Sequence, residues 1–354
     1  MRTAFTERFG LRAPIVQAPM AGATTPSMVA AVCEAGGFGS LAAAYLSPAA
    51  IEAQLRETRK LTSRPFAVNL FAPFTDPDVT PAQLSRAIDE LRPFRERLGL
   101  GAPGTAPRVE RFEEQFEAVM REPPAALSFC FGLIPPAAAL RCRAAGTALI
   151  GTATSVAEVR ALEQSGVDFI CAQGAEAGAH RGTFDPLAEP PGLGTLLLVP
   201  LIVDAVRVPV LAAGGIMDGR GILAALSLGA VAAQLGTAFL RTPESSIPQV
   251  HKDALARVAD EGTVMTRAFS GRPARGLANR FTREVRSPAP FPLQNSLTRE
   301  IRQSAAARGD AEALSLWAGQ GAAMARALPS GELLLLLERE LDQASRRLAA
   351  MPTT

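Results

Sequence analysis

Charge of one sign is missing from this chain: 36 Lys and Arg stand against 34 Asp and Glu in 354 residues, leaving a net charge of +2. No field builds up of the kind that draws a polyanion, so nucleic acid is excluded as a partner. Lysine is nearly lacking, with Lys60 and Lys252 alone. The basic side chains are otherwise arginine, which alongside abundant Ala, Gly and Pro reflects GC-rich coding. No apolar run reaches the roughly 18 residues of a membrane span, and the opening MRTAFTERFGLRAP has no apolar signal core. A cytoplasmic protein without a membrane partner is expected. Cysteine is sparse, and Cys33, Cys130, Cys142 and Cys171 lack metal-type spacing. Neither a disulfide framework nor a metal site follows from them; Cys130 and Cys171 sit in strand-like runs as buried thiols of a reducing compartment.

What is present is apolar: 48% of the residues are hydrophobic and 20% charged, the balance of a well-packed globular chain. Short apolar runs alternate with helical patterns from residue 14 onward, as parallel strands joined by crossover helices do. The strands are expected at Ile15–Gln17, Gly39–Ala42, Phe66–Leu70, Ala126–Phe131, Ala148–Gly151, Phe169–Ala172, Val210–Ala213 and Ala232–Leu235. Eight such units close into a TIM (β/α)8 barrel, whose chemistry lies on the loops after the strand C-termini. An open doubly wound sheet is the competing arrangement, but the first strand–helix turn, APMAGATTP, lacks the dinucleotide fingerprint G-x-G-x-x-G. Two stretches break the alternation. Residues 75–124 predict a helical insertion, with a pattern at Pro81–Leu98 and another at Arg108–Arg121. The tail, 244–354, predicts helices at Ser246–Glu261, Leu297–Arg308, Ala311–Leu328 and Gly331–Ala349. The expected division is a barrel of residues 1–243 and a mostly helical region over the active-site mouth, equally suited to a dimer surface, in a monomer or homodimer. The final MPTT is expected to fray.

The most informative segment is CAQGAEAGAHRGTF, residues 171–184. Gly174, Gly178 and Gly182 allow close backbone approach, while Gln173, Glu176, His180 and Arg181 supply acceptor, charge and proton-transfer groups. His180 is a candidate general base. A surface turn with a solvated histidine has the same composition. Later, PVLAAGGIMDGRG at 209–221 runs a strand into Gly214-Gly215, with Asp218 placed to cap the next helix, and VAAQLGTAFL at 231–240 ends a strand at Gly236-Thr237. Glycine turns after strands seven and eight are the usual phosphate place of this barrel, so a monophosphate-bearing cofactor is expected; tight structural turns are the alternative. His251, the other histidine, lies in an Arg-flanked helical stretch and reads as surface or interface.

Six segments in order, PIVQAPMAG at 14–22, FAVNLF at 66–71, QGAEAGAHRGTF at 173–184, AAGGIMDGRG at 212–221, QLGTAFLRTPES at 234–245 and FSGRPARGLANRF at 269–281, resemble the nitronate monooxygenase (2-nitropropane dioxygenase) family, class I. The resemblance implies a TIM barrel holding FMN. By position, it places Ala18, Pro19 and Met20 against the flavin ring, has Asn69 and Gln173 hydrogen-bond it, and brings Gly178 close. Gly214, Gly215, Gln234, Leu235, Gly236 and Thr237 would hold the phosphate, and His180 would be the catalytic base. The implied reaction oxidises alkyl nitronates, propionate 3-nitronate or nitroalkanes with O2 to a carbonyl compound and nitrite, with no metal. Its activity on nitroalkanes is expected to fall below the imidazole pKa. Where the family has EAGGH, this chain has Ala179 before the histidine. Ser270, Arg272 and Arg275 read as structure that ties the tail to the barrel, with site contact as the alternative. Two other readings stay open: an NAD(P)H-dependent flavin reductase of the same fold, of enoyl-acyl carrier protein or quinone reductase type, and a ligand-binding barrel without turnover. His180 weighs against the last, since holding a phosphate needs no proton acceptor.

Overall fold

A short helix, Ala4–Phe9, comes first; Thr3 closes a capping box with Thr6, and Gly10 ends the helix in the left-handed region. Its two phenylalanines plug the barrel floor. Phe5 lies edge-on to Phe38 and Phe169, with ring centroids 5.3 and 5.1 Å away. The computed structural model describes residues 1–75, 77–105, 110–189 and 192–351. In chain order, its strands are β1 (Ile15–Gln17), β2 (Ser40–Ala42), β3 (Ala67–Phe71), β4 (Ala126–Cys130), β5 (Ala148–Ala153), β6 (Phe169–Gln173), β7 (Ala179–His180), β8 (Val210–Ala213), β9 (Ala232–Leu235), β10 (Thr263–Thr266) and β11 (Ala274–Leu277). Eight form one parallel sheet ordered β1-β9-β8-β6-β5-β4-β3-β2. Its ends meet where Val16 bridges Phe38 and the Gln17 N–H donates to the Phe38 carbonyl at 2.9 Å. The sheet is therefore a TIM barrel, with every expected strand in place.

Strand periodicity decides what reaches the inside. Leu70, Leu127, Leu149, Ile170 and Val210 face outward and pack under the helices, while Ala67, Ala126, Ala148, Phe169 and Leu211 line the lower interior. The same period carried to the C-terminal rim puts Asn69, Ser128, Gln173 and Gln234 inside. Helix starts follow the sequence: Thr25, Ser47 and Thr80 cap helices whose first residues are Pro26, Pro48 and Pro81, and Asp218 accepts from the N–H groups of Arg220 and Gly221.

The final helix, Ser330–Ala349, is the eighth helix of the barrel wall. It packs between Pro26–Glu34 and Gly219–Ser227, burying Leu333, Leu334, Leu337 and Leu341 in the main core. The chain between β9 and this helix forms a second core with the insertion: Leu91 and Phe94 of helix Pro81–Arg97 pack with Phe269, Phe281 and Ile301. Arg95, 4% exposed, donates to the Glu300 carboxylate at 2.6 Å and joins the two segments.

Three expectations about elements need correction. A helix at Ala311–Leu328 does not form; only the turns Ala311–Ala313 and Ala322–Met324 are helical, because the strap between them lies along β11, where the Leu277 N–H donates to the Leu316 carbonyl at 2.8 Å. The pattern at Ser246–Glu261 yields Gln249–Arg257, starting after Pro248. Helix Phe112–Arg121 starts later than expected; the 108–109 end of that pattern and the 352–354 end of the tail lie outside the described residues. An antiparallel sheet, β10-β11-β7, had no expectation at all.

Candidate active site

All the site positions singled out lie at the C-terminal mouth. Gln17, fully buried at the end of β1, accepts from the Ser40 N–H at 3.1 Å and donates to the Thr24 hydroxyl at 3.1 Å and to the Ala18 carbonyl. This brace sets the turn of Ala18, Pro19 and Met20, whose own N–H groups anchor it: Ala18 donates to Leu235 (2.9 Å) and Met20 to Thr24 (3.0 Å). The three residues are half-buried along the mouth. Asn69 donates across the rim to Ser128 at 3.0 Å, and Gln234 to the Cys171 sulfur at 3.3 Å. Burial lifts the Cys130 and Cys171 thiols to about 12, so neither is a thiolate at neutral pH. Among the described residues no His, Cys, Asp or Glu cluster could hold a metal.

The histidine loop is built largely on main-chain carbonyls captured by arginine. Arg181, 1% exposed, donates to the carbonyls of Gln173 and Gly174, both at 2.6 Å. From the tail, Arg275 reaches the Ala175 carbonyl at 3.0 Å, and Arg272 that of Thr183. Gln173 donates to the His180 carbonyl at 3.0 Å and accepts from Gly182 at 2.8 Å. Its amide thus braces the loop itself. Glu176 is structural too, its carboxylate accepting from the Thr195 N–H and hydroxyl at the start of helix Thr195–Val203. Pairing of β7 with β11, His180 opposite Ala274 and Ala179 opposite Arg275, fixes the imidazole's direction.

Among the described residues, two that bear side chains have left-handed backbones, Phe131 at φ 76° and Ala179 at φ 58°. Each carries strain of about 1 kcal/mol or more. Both flank the imidazole, whose centroid is 5.8 Å from Phe131, 5.8 Å from Trp317 and 6.1 Å from Phe291. Arg272 stacks on Phe131 at 3.8 Å. His180 Nε2 lies 2.8 Å from the Ser270 hydroxyl. Desolvation, followed by the charges of Arg272 and Arg302, pushes the imidazole down to about 3. The ring is therefore neutral throughout the physiological range.

The two late glycine turns adjoin this loop. Gly214 and Gly215 have φ 112° and 71°, backbone that side-chain-bearing residues rarely adopt; a Cβ on Gly214 would lie 3.1 Å from the Ala177 N–H. One on Gly236 would sit 3.5 Å from the Met20 sulfur, so the turn after β9 borders the turn after β1. The Thr237 hydroxyl accepts from the Gly319 N–H at 2.9 Å, leaving its own proton for another acceptor. Gly178 closely approaches the strap, with a Cβ there only 2.5 Å from the Gly319 nitrogen. The Leu235 side chain belongs to the main core, so only its main chain faces the rim.

The sequence did not point to Gln17, Phe131, Phe291, Trp317 and Gly319 as site residues. A phenylalanine before Gly132 at a strand end, and the chain's single tryptophan just before Gly319, were the available signals. Ser270 contacts His180 directly, while Arg272 and Arg275 tie tail to loop as expected. His251 is corrected: it is 4% exposed, and burial lowers it to about 4.

A polar inner rim, two late glycine turns and one neutral histidine converging at the C-terminal mouth define a (β/α)8-barrel enzyme for a small ligand. The family model described as nitronate monooxygenase matches residues 2–340, and the chain belongs to that family. A nitronate monooxygenase of Paraburkholderia phytofirmans is 42% identical over 353 residues, covering 96% of this chain and 95% of its own. The solved structure of nitroalkane oxidase from Streptomyces ansochromogenes is similar with a TM-score of 0.92 and 42% identity, over 98% of this chain and 100% of the other. FabK from Thermotoga maritima is similar at a TM-score of 0.77 and 28% identity, over 99% of each.

Proposed function

We propose that this protein oxidises alkyl nitronates, propionate 3-nitronate among them, with O2 to a carbonyl compound and nitrite, using FMN, and that it takes neutral nitroalkanes more slowly. His180 carries the reading: an uncharged imidazole between aromatic walls, with Arg272 and Arg302 near it and neither in a salt bridge among the described residues. Arg272 bonds the Thr183 carbonyl and Arg302 bonds Asn295 and Thr298, all neutral groups; guanidinium charge left without a carboxylate in a desolvated chamber attracts an anion, and a nitronate is one. The same charges depress the basicity that a neutral nitroalkane would need. An anion bound beside them offsets that effect.

The residues fit FMN. The left-handed Gly214-Gly215 turn, Gly236 and the Thr237 hydroxyl, with Gln234 and the main chain of Leu235 beside them, would receive its phosphate. Ala18, Pro19 and Met20 would pack against the ring. Asn69 and the remaining N–H of Gln173 would bond its edge, with Gly178 passing close. Bound flavin supplies the redox capacity that no side chain here has. The chain's own work is to orient the substrate, exclude water and hold a proton at His180. We take residues 244–329, rather than the expected 244–354, as the cover of the mouth, because the helix Ser330–Ala349 packs into the barrel wall while Phe291, Trp317 and Gly319 stand over the histidine loop. We place the protein in the cytoplasm on its four free thiols; among the described residues, no helix is long and apolar enough to cross a membrane.

The test is the absorption spectrum of purified protein, then oxygen consumption and nitrite release with propionate 3-nitronate and with nitroethane. A colourless protein that binds no added FMN, or one silent on both substrates, removes the proposal. The likeness to FabK keeps a reductase as the second reading; prompt anaerobic bleaching by NADH would favour it.

A further inference from the structure

We propose that Ser270 is a positioning residue that holds His180 as its Nε2–H tautomer, making Nδ1 the proton acceptor; this rests on His180 being the base. A serine hydroxyl has one proton to give. Ser270 is 1% exposed, and its Oγ has three neighbours: His180 Nε2 at 2.8 Å, the Arg272 carbonyl at 3.2 Å and the Arg272 N–H, which donates to it at 3.3 Å. A hydroxyl directed to the carbonyl must accept from Nε2–H. A hydroxyl directed to Nε2 would leave a buried carbonyl without its donor and put the ring proton on Nδ1, with no lone pair left for substrate.

The first arrangement satisfies every group. Nδ1 has no protein partner among the described residues and is not one of the sealed-in unpartnered atoms. When the Cα–H bond of a nitroalkane breaks, the proton forms an N–H bond at Nδ1, and the carbon's electron pair passes into the C=N bond of the nitronate. The resulting imidazolium keeps its Nε2–H on Ser270, whose proton stays on the Arg272 carbonyl. This is the role a carboxylate or carbonyl partner has behind a working histidine. The turn that supplies it, Ser270–Arg272, is shaped by Gly271 at φ 86°, where a Cβ would collide with the Pro290–Phe291 main chain.

The chain has only two histidines, so imidazole nitrogen NMR of the flavin-loaded wild-type protein resolves both rings, with His251→Phe assigning them. The expected His180 signal is the Nε2–H form at neutral pH; the Nδ1–H form overturns the proposal without any variant at Ser270. In Ser270→Ala the Nε2–H preference should be lost. Turnover of nitroethane should then fall about 10- to 100-fold, while oxidation of propionate 3-nitronate, which has no proton to give up, changes less than threefold. Ser270→Thr should restore most of the loss. Equal losses on both substrates, or an unchanged tautomer in Ser270→Ala, refute the assignment. His180→Asn separates the two ideas: if it leaves the nitroethane-to-nitronate ratio unchanged, the base reading fails, whatever the tautomer.

Discussion

Single side chains around His180 are held in conformations that their own chemistry does not favour. Ala179 occupies φ 58° where a glycine would be unstrained. Ala179→Gly should therefore raise stability by about 0.5–1 kcal/mol in urea denaturation, with relief of the left-handed strain outweighing the extra freedom of the unfolded chain. A loss of similar size would show that the residue is not strained. Burial, and after it the charges of Arg272 and Arg302, hold the imidazole down, so in flavin-loaded enzyme the nitroalkane kcat/KM should show no acid limb near pH 6.5 and stay level down to about pH 5. Arg272→Met should raise the basicity of His180 only in part, since burial, the larger cause, and Arg302 both remain, so the acid limb should still lie well below pH 6.5. A wild-type profile already breaking near pH 6.5 would contradict the desolvated, guanidinium-flanked setting. At this scale, the sequence disclosed the histidine and the glycines around it. It did not disclose Phe131 or Trp317, because a ring's neighbours across the mouth depend on contacts between segments far apart in the chain.

Among the elements, the strap around Gly319 and the last helix depend most on distant partners. Residues Leu316–Ala318 lie along β11, and Gly319 is wedged between the Glu176 carbonyl and Gly178, with a Cβ calculated to fall 2.7 Å from that oxygen. Gly319→Ala should push the strap off the Thr237 hydroxyl and weaken FMN retention about tenfold, read by equilibrium dialysis, while circular dichroism stays that of the wild type. Undiminished retention would show that the strap plays no part in the phosphate turn. In the last helix Leu337 is fully buried against the barrel wall. Leu337→Ala should cost about 2–5 kcal/mol by transfer and cavity terms, where a peripheral tail helix would lose almost nothing. Strand–helix alternation was legible because each unit carries its own period and caps. The β10-β11-β7 sheet was not, since β7 has only two residues and its pairing partner lies far along the chain.

For the whole molecule, the two histidines couple stability to pH. Both are buried and neutral, lowered to about 3 and about 4 by desolvation, whereas in the unfolded chain each titrates near 6.5. Between about pH 4 and 6.5 the unfolded state binds more protons, so stability present above pH 6.5 is lost as pH falls. Each histidine contributes a slope of about 1.4 kcal/mol per pH unit at full uptake. Urea midpoints measured from pH 7.5 to 4.5 should fall accordingly, and His251→Phe should remove about half of this histidine-linked part. A midpoint flat over that window would mean that both rings are solvated. Free FMN at 100 times its Kd should add about 2.7 kcal/mol by mass action, seen as a rise in Tm.

The amino-acid order by itself determined the barrel, its two late glycine turns and the loop that carries His180, because apolar period, cap residues and glycine placement act within a few residues of one another. Tertiary structure alone decided how that histidine behaves. Its tautomer partner Ser270 and its aromatic walls Phe291 and Trp317 come from segments that reach it only when the chain after β9 folds back over the mouth, and their closure completes the burial that keeps the ring neutral. The same return sends the last helix into the barrel wall: its leucine stripe marks a buried face, but no local signal names what it is buried against.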